Sequence, residues 1–237
     1  VELATERLNG ATVAPGEIFS FNEALGGATL SRGFKIGYGI GMKDGQPETI
    51  ESVAGGICQV STTLFQAAYW AGLPIVERHY HLYWISKYGQ PPKGNLGFDA
   101  TVDEPSLDFK FRNTTGHWIR IDSWVANQRI GFRLMGVEPG WEVYSSEPIV
   151  TNVVPKNTEI VRQPDPSLDA GTELWVESAE DGFTVEVTRT VKDRDGNIVD
   201  EYTFRNRYLP ARNVILVGTK GATPTPEPSP TPEPTTE

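Results

Sequence analysis

The sequence predicts an α+β domain over residues 1–140, with a central helix on an antiparallel sheet. An all-β module over 141–220 and a disordered Pro/Thr/Glu-rich linker over 221–237 complete the chain. Three observations predict this. An apolar stripe at Ile57, Val60, Leu64, Ala67, Ala68 and Ala71 has helical period. Phe183, Val185, Val187 and Val191 mostly alternate with polar residues, the period of a half-buried strand. Residues 221–237 lack any apolar side chain large enough to anchor a core and read as a polyproline-like spacer of about 3.1 Å per residue.

Along the chain, Glu2–Leu8 is helical and Asn9-Gly10 stops it; Ala14–Asn22 is a turn into an aromatic strand or loop. Gly33 to Gly45 is glycine-rich and loop-like, a wall for a groove. The central helix runs from about 57 to 71, where Gly72 and Pro74 end it. Ile75–Ile85 reads as a strand, Leu107–Phe111 and Trp118–Asp122 as a hairpin pair, and Gly131–Leu134 as one more strand. In the C-terminal module, Glu173–Glu177, Ile198–Phe204 and Val214–Val217 are strands, with turn chemistry at Asp193–Asn197.

Thirty-one acidic against 21 basic residues give a net charge of -10, which excludes nucleic acid or an anionic membrane as partner. No apolar run approaches the roughly 18–20 residues that cross a bilayer. The chain starts at Val1 without a methionine or signal peptide, so a processed or excised fragment is expected, with the export signal upstream.

A single cysteine stands in this chain: Cys58, within Ala54-Gly-Gly-Ile-Cys-Gln-Val-Ser-Thr-Thr-Leu64. Exported chains pair or avoid free thiols, so a lone one is a candidate reactive group. The glycine pair puts it on the first helical turn, where the helix end stabilises a thiolate by roughly 0.3–1 kcal/mol. His79 and His81 follow, two apart in the expected strand and therefore on one side of it, with Arg78 and Tyr80 on the other. Asp99, in Gly97-Phe-Asp-Ala-Thr-Val102, would orient the imidazole, and the Ile57 and Cys58 N–H groups would serve as oxyanion donors. That order, Cys58, His79 or His81, then Asp99, is the parts list of thiol acyl transfer. The alternatives are a small buried cysteine, an aromatic-packed histidine pair and a turn aspartate. Cys58, His79, His81 and Asp99 could also supply four zinc ligands, but the familiar paired spacings are lacking, and no metal or cofactor is assigned.

On these residues the N-terminal part resembles the VanW family. The matching segments are Leu8-Asn-Gly10, Pro15–Asn22, Gly55–Leu64, Gly72-Leu73, Val76–His81, Asp99–Val102 and Leu107–Asn113, covering about 1–135. The C-terminal part resembles a G5 domain through Asp195–Val199, Tyr208-Leu-Pro210 and Val214–Thr219. The resemblance implies an extracellular protein of the bacterial surface or cell wall, with peptidoglycan or another N-acetylglucosamine-containing polymer as partner. The Cys–His–Asp order is also similar to that of transglutaminase-like enzymes, though the Cys-to-His interval here is shorter. Two functions are thus expected to compete. One is a wall-associated binding module whose groove is the 33–56 segment. The other is a cysteine-dependent amidase or acyl transferase acting on peptidoglycan peptides or wall proteins.

Overall fold

The computed structural model describes residues 1–43, 46–89 and 96–221. The Pro/Thr/Glu tract beyond residue 221 lies outside the described residues. In chain order the elements are α1 (Glu2–Leu8), β1 (Thr12–Val13), β2 (Ile18–Ser20), α2 (Phe21–Leu25), β3 (Ile36–Lys43), β4 (Gln46–Val53), α3 (Ile57–Trp70) and β5 (Ile75–Glu77). After a long connection come β6 (Lys110–Arg112), β7 (Ile119–Ala126), β8 (Arg129–Met135), β9 (Glu142–Ser145), β10 (Ile149–Val154) and β11 (Asn157–Asp169). Then follow β12 (Glu173–Glu177), β13 (Gly182–Lys192), β14 (Ile198–Tyr208) and β15 (Arg212–Lys220). The chain is mostly β with few helices, mixed in its N-terminal part and built of sheets in its C-terminal part.

The strands form small sheets rather than one large one: β1-β7-β8, β2-β6-β5, the β3-β4 hairpin, β10-β13-β14 with β9 also on β13, and β11-β15-β12. Two expectations change here. Lys110–Arg112 and Ile119–Ala126 are not a hairpin pair. β6 joins β2 and β5, whereas β7 joins β1 and β8, because Asn113 bonds Val13 O and His117 O and turns the chain between sheets. Within the glycine-rich segment Ile36–Lys43 is a strand rather than a loop, paired antiparallel with β4, Ile36 opposite Val53.

Helix α3 is the central element. Val60, Leu64, Phe65, Ala68 and Tyr69 are fully buried, as the apolar stripe requires. Their core continues without a break into the C-terminal strands: Phe98 meets Tyr69 at 4.8 Å and Phe204 at 5.2 Å, and Phe183, Val185 and Val187 belong to the same cluster. Both helix ends are fixed. At the start, Gly55 lies against β3, where an added Cβ would stand 2.7 Å from Tyr38 N, so only glycine admits the hairpin this close. At the end, fully buried Arg189 of β13 donates to Tyr69 O and Leu73 O, both at 2.9 Å, and pairs with Asp200 at 2.6 Å. A cation there meets the negative end of the helix dipole, at one carbonyl of the last turn and one just beyond it. Arg189→Leu removes these donors and leaves Asp200 without its partner; a loss of about 3 kcal/mol is expected in urea unfolding. A loss no larger than that of an exposed arginine would contradict this role.

Candidate active site

Gly56, at φ +88, starts α3 and places Cys58 in its first turn, facing the segment 99–102. The thiol is partly buried; its Sγ lies 3.3 Å from Thr101 Oγ1 and 3.7 Å from Val102 O. Ser61 and Thr62 of the next turn donate to Ala100 O and tie the helix to that segment. Of the two expected oxyanion donors, the Ile57 N–H is taken by Ala54 O at 3.0 Å. Among the described residues the Cys58 N–H has no acceptor, which leaves it as the helix-end donor beside the sulfur.

The histidines part company. β5 ends at Glu77 rather than running on to Ile85, so the expected alternation does not reach them. His79 makes an antiparallel bridge with Thr101, and its ring turns outward to Glu77 Oε1 at 3.0 Å, where Lys110 also binds Glu77. The chain then bends, and His81 turns inward, 5 % exposed. Its backbone N–H and its Nδ1 both reach Asp99 Oδ2, at 2.8 and 2.6 Å. Nε2 is left as the ring nitrogen available to Cys58. Since His79 is turned away, the four zinc-ligand candidates do not meet at one point, and no group of three metal-ligating side chains occurs among the described residues.

Arg78 was expected on the opposite side of the strand from the histidines. Instead it is buried against Asp99, with Nε on Asp99 O at 2.6 Å and Nη2 3.3 Å from Oδ1. Its guanidinium also lies over the Phe65 and Phe204 rings, 4.8 and 4.6 Å from their centroids. Tyr208, from the end of β14, donates to Asp99 Oδ1 at 2.5 Å.

The charges follow from these contacts. Burial favours a neutral Asp99, but the donors from His81, Arg78 and Tyr208 outweigh it and hold the carboxyl below its usual range. Burial opposes charge on His81 too, yet the hydrogen bonds and charge of Asp99, with Cys58 nearby, raise it to about 9. Burial pushes the Cys58 thiol up, and nearby His81, with the Thr101 and Val102 hydrogen bonds, draws it down further than burial raises it, so it lies below its ordinary value. The arrangement therefore favours a charged His81 imidazole at neutral pH and a Cys58 thiol that ionises more readily than an ordinary one.

This pair lies in a cleft of about 550 Å³ whose walls include the β3–β4 hairpin, the start of α3, Tyr83 to Tyr88, and β12. Tyr83 and Tyr88 are pushed up, chiefly by burial, and remain protonated donors at neutral pH. Sequence reasoning gave Arg78, Tyr208 and the strand at Glu173–Glu177 no part in the site. Of these, Tyr208 sits in a segment already conspicuous as Tyr208-Leu-Pro210, although nothing in that segment alone tells that it reaches Asp99.

The imidazolium has a consequence for stability. The folded value of His81 lies above the unfolded 6.5, so its contribution is complete below 6.5 and is lost as pH rises through about 9. In a Cys58→Ala background, which removes the opposing thiol titration and leaves Asp99 to raise His81, the unfolding free energy is expected to fall as pH rises above 6.5. Adding His81→Gln abolishes that decline. A profile unchanged by His81→Gln would mean that His81 is not charged in the folded state.

The family model described as "VanW like protein" matches residues 1–135, and that of the G5 domain matches residues 147–220. "Uncharacterized protein YoaR" of Bacillus subtilis is 40% identical over 113 residues, 48% of this chain and 34% of its own length. "Vancomycin B-type resistance protein VanW" of Enterococcus faecalis is 32% identical over 127 residues, 52% of this chain and 44% of its own. The chain thus spans less than half the length of either relative. The solved "IgA1 Protease G5 domain structure" aligns over 34% of this chain and 93% of its own at 22% identity, with a TM-score of 0.18, too low to establish a common fold. With more than half of its length matched, the chain belongs to the VanW family, and a G5 domain follows its VanW region.

Proposed function

We propose that this protein is an exported cell-envelope enzyme that transfers or hydrolyses acyl groups through Cys58. The observation that carries this reading is that Cys58 and His81 line one cleft, with His81 held from behind by a 2.6 Å bond to buried Asp99. The thiolate attacks the carbonyl carbon of an amide, and the Cys58 N–H is placed to meet the developing oxyanion. His81 gives its Nε2 proton to the departing amine, leaving a thioester on Cys58. The neutral imidazole then takes a proton from water or from an acceptor amine, which attacks the thioester and releases the Cys58 thiolate beside the restored imidazolium. Asp99 fixes the tautomer and stabilises the imidazolium. His79, turned to Glu77, has no part in this scheme.

The substrate class we propose is an amide of peptidoglycan peptides or of a wall-linked protein. Membership of the VanW family and the G5 domain support a cell-wall setting, and Trp175, half exposed on the β12 wall, offers an aromatic face to a glycan. A non-catalytic module that binds wall glycan is the second reading. The close contacts of Sγ with Thr101 and Val102, which suit a packing thiol, favour it.

Incubation with muropeptides and wall-protein peptides, followed by intact-mass analysis, separates the two. A covalent acyl adduct on Cys58, absent from Cys58→Ser and formed roughly 10²–10⁴-fold more slowly in His81→Ala, is expected. Glycan binding with no adduct, unaltered by Cys58→Ser, would overturn the enzymatic reading.

A further inference from the structure

The G5 domain builds part of the thiol site. Tyr208 is buried at the end of β14, its hydroxyl on Asp99 Oδ1 at 2.5 Å. Two residues earlier, buried Asn206 gives one amide nitrogen to both Tyr208 Oη and Gly97 O, each at 2.8 Å, and its Oδ1 accepts from Arg78 Nη1 at 3.1 Å. Leu209 N then bonds Leu82 O at 2.8 Å, which continues the junction beside His81. The turn carrying Asp99 is shaped for this contact. Gly97 has φ +88, and a Cβ there would meet Val185, Asn206 and Phe204 at 2.9–3.0 Å.

The second sheet of the G5 region fixes the cleft wall. Tyr38 of β3 donates to Asp165 of β11 at 2.7 Å, and Gln163 Nε2 donates to Thr49 O at 2.9 Å. Glu177 of β12 accepts from Thr49 and Tyr83 at 3.2 and 3.0 Å. These bonds join the hairpin to the G5 strands independently of the Asp99 contact.

We propose that Tyr208 is a positioning residue of the thiol site, holding Asp99 so that Oδ2 stays on His81, and that the site is complete only with the G5 domain docked. This rests on the reading of Cys58 and His81 as the reacting pair. Each Asp99 oxygen has two donors: His81 N and Nδ1 on Oδ2, Tyr208 and Arg78 on Oδ1. The Arg78 contact, at 3.3 Å, is the longest of the four, so Tyr208 is the principal restraint on Oδ1 and hence on rotation of the carboxylate. The phenol is also suited to the task, being a neutral donor that adds no charge next to the imidazolium.

The test uses the full chain. Proton NMR follows the downfield resonance of His81 Nδ1–H, a signature of an imidazole donating to a carboxylate, alongside the rate of Cys58 alkylation by iodoacetamide at neutral pH. In Tyr208→Phe the resonance is expected to move upfield or broaden away and alkylation to slow several-fold, while near-ultraviolet circular dichroism stays native. Asp99→Asn, which removes the acceptor, provides the reference for full loss. An unchanged resonance and rate in Tyr208→Phe would overturn the positioning role and leave the thiol reading intact. Absence of both the resonance and ready alkylation in the unaltered protein would sink the thiol reading itself. If Tyr208→Phe fails to fold, 3-fluorotyrosine at 208 keeps ring and hydroxyl but donates more strongly. It must then shift the His81 resonance, and no shift overturns the proposal.

Discussion

A single buried carboxylate sets the arrangement of everything around it. Asp99 is 4 % exposed, and an ionised group at that depth is tolerated only when charge and hydrogen bonds replace its water. They come from two stretches of chain: Arg78 and His81 just beyond the end of β5, and Tyr208 at the end of β14. Satisfying Asp99 therefore requires the chain to bend between His79 and His81, Arg78 to turn inward, and the last strands of the molecule to return to the turn at 97–99. The charge on His81 and the lowered thiol of Cys58 are downstream of that demand.

Helix α3 carries the thiol and is held as firmly as the carboxylate. Gly55 lets the β3–β4 hairpin approach its start, and Arg189 closes its end with two bonds to carbonyls. Between these points Phe65 and Tyr69 join the aromatic cluster that also contains Phe98 and Phe204. The C-terminal module thus touches both ends of the apparatus: Arg189 of β13 at the far end of the helix, Tyr208 of β14 at the carboxylate. A common core makes the relative placement of thiol and imidazole a property of the two regions together.

Local signals were legible and non-local ones were not. α1, α3 and β12 fall where periodicity and stop residues put them, because amphipathic spacing and glycine or proline breaks act within a few residues. Cys58, His81 and Asp99 could be singled out by residue type and order; the structure bonds His81 to Asp99 and sets Cys58 and His81 on one cleft. The pairing of His79 with His81 fails because strand periodicity was extended past Glu77, where β5 ends and the chain is held by single bridges and side-chain bonds. Arg78 was misplaced by the same extension. Nothing local marked Tyr208 for this role, since its partner lies 109 positions away and the need for a donor exists only once Asp99 is buried. The β6–β7 misreading has the same origin: neighbours in sequence were paired, whereas Asn113 turns the chain from one sheet to another.

The most direct test of the central claim is an ultraviolet titration of the Cys58 thiolate, taken as the difference between the unaltered protein and Cys58→Ser. A thiolate paired with the His81 imidazolium predicts that thiolate absorbance is already developed at neutral pH, well below the ~8.5 of a free thiol. The same absorbance should be lost from the neutral range in His81→Ala. Absorbance that develops only above ~8.5, with or without His81, would contradict the account and leave Cys58 a packing residue.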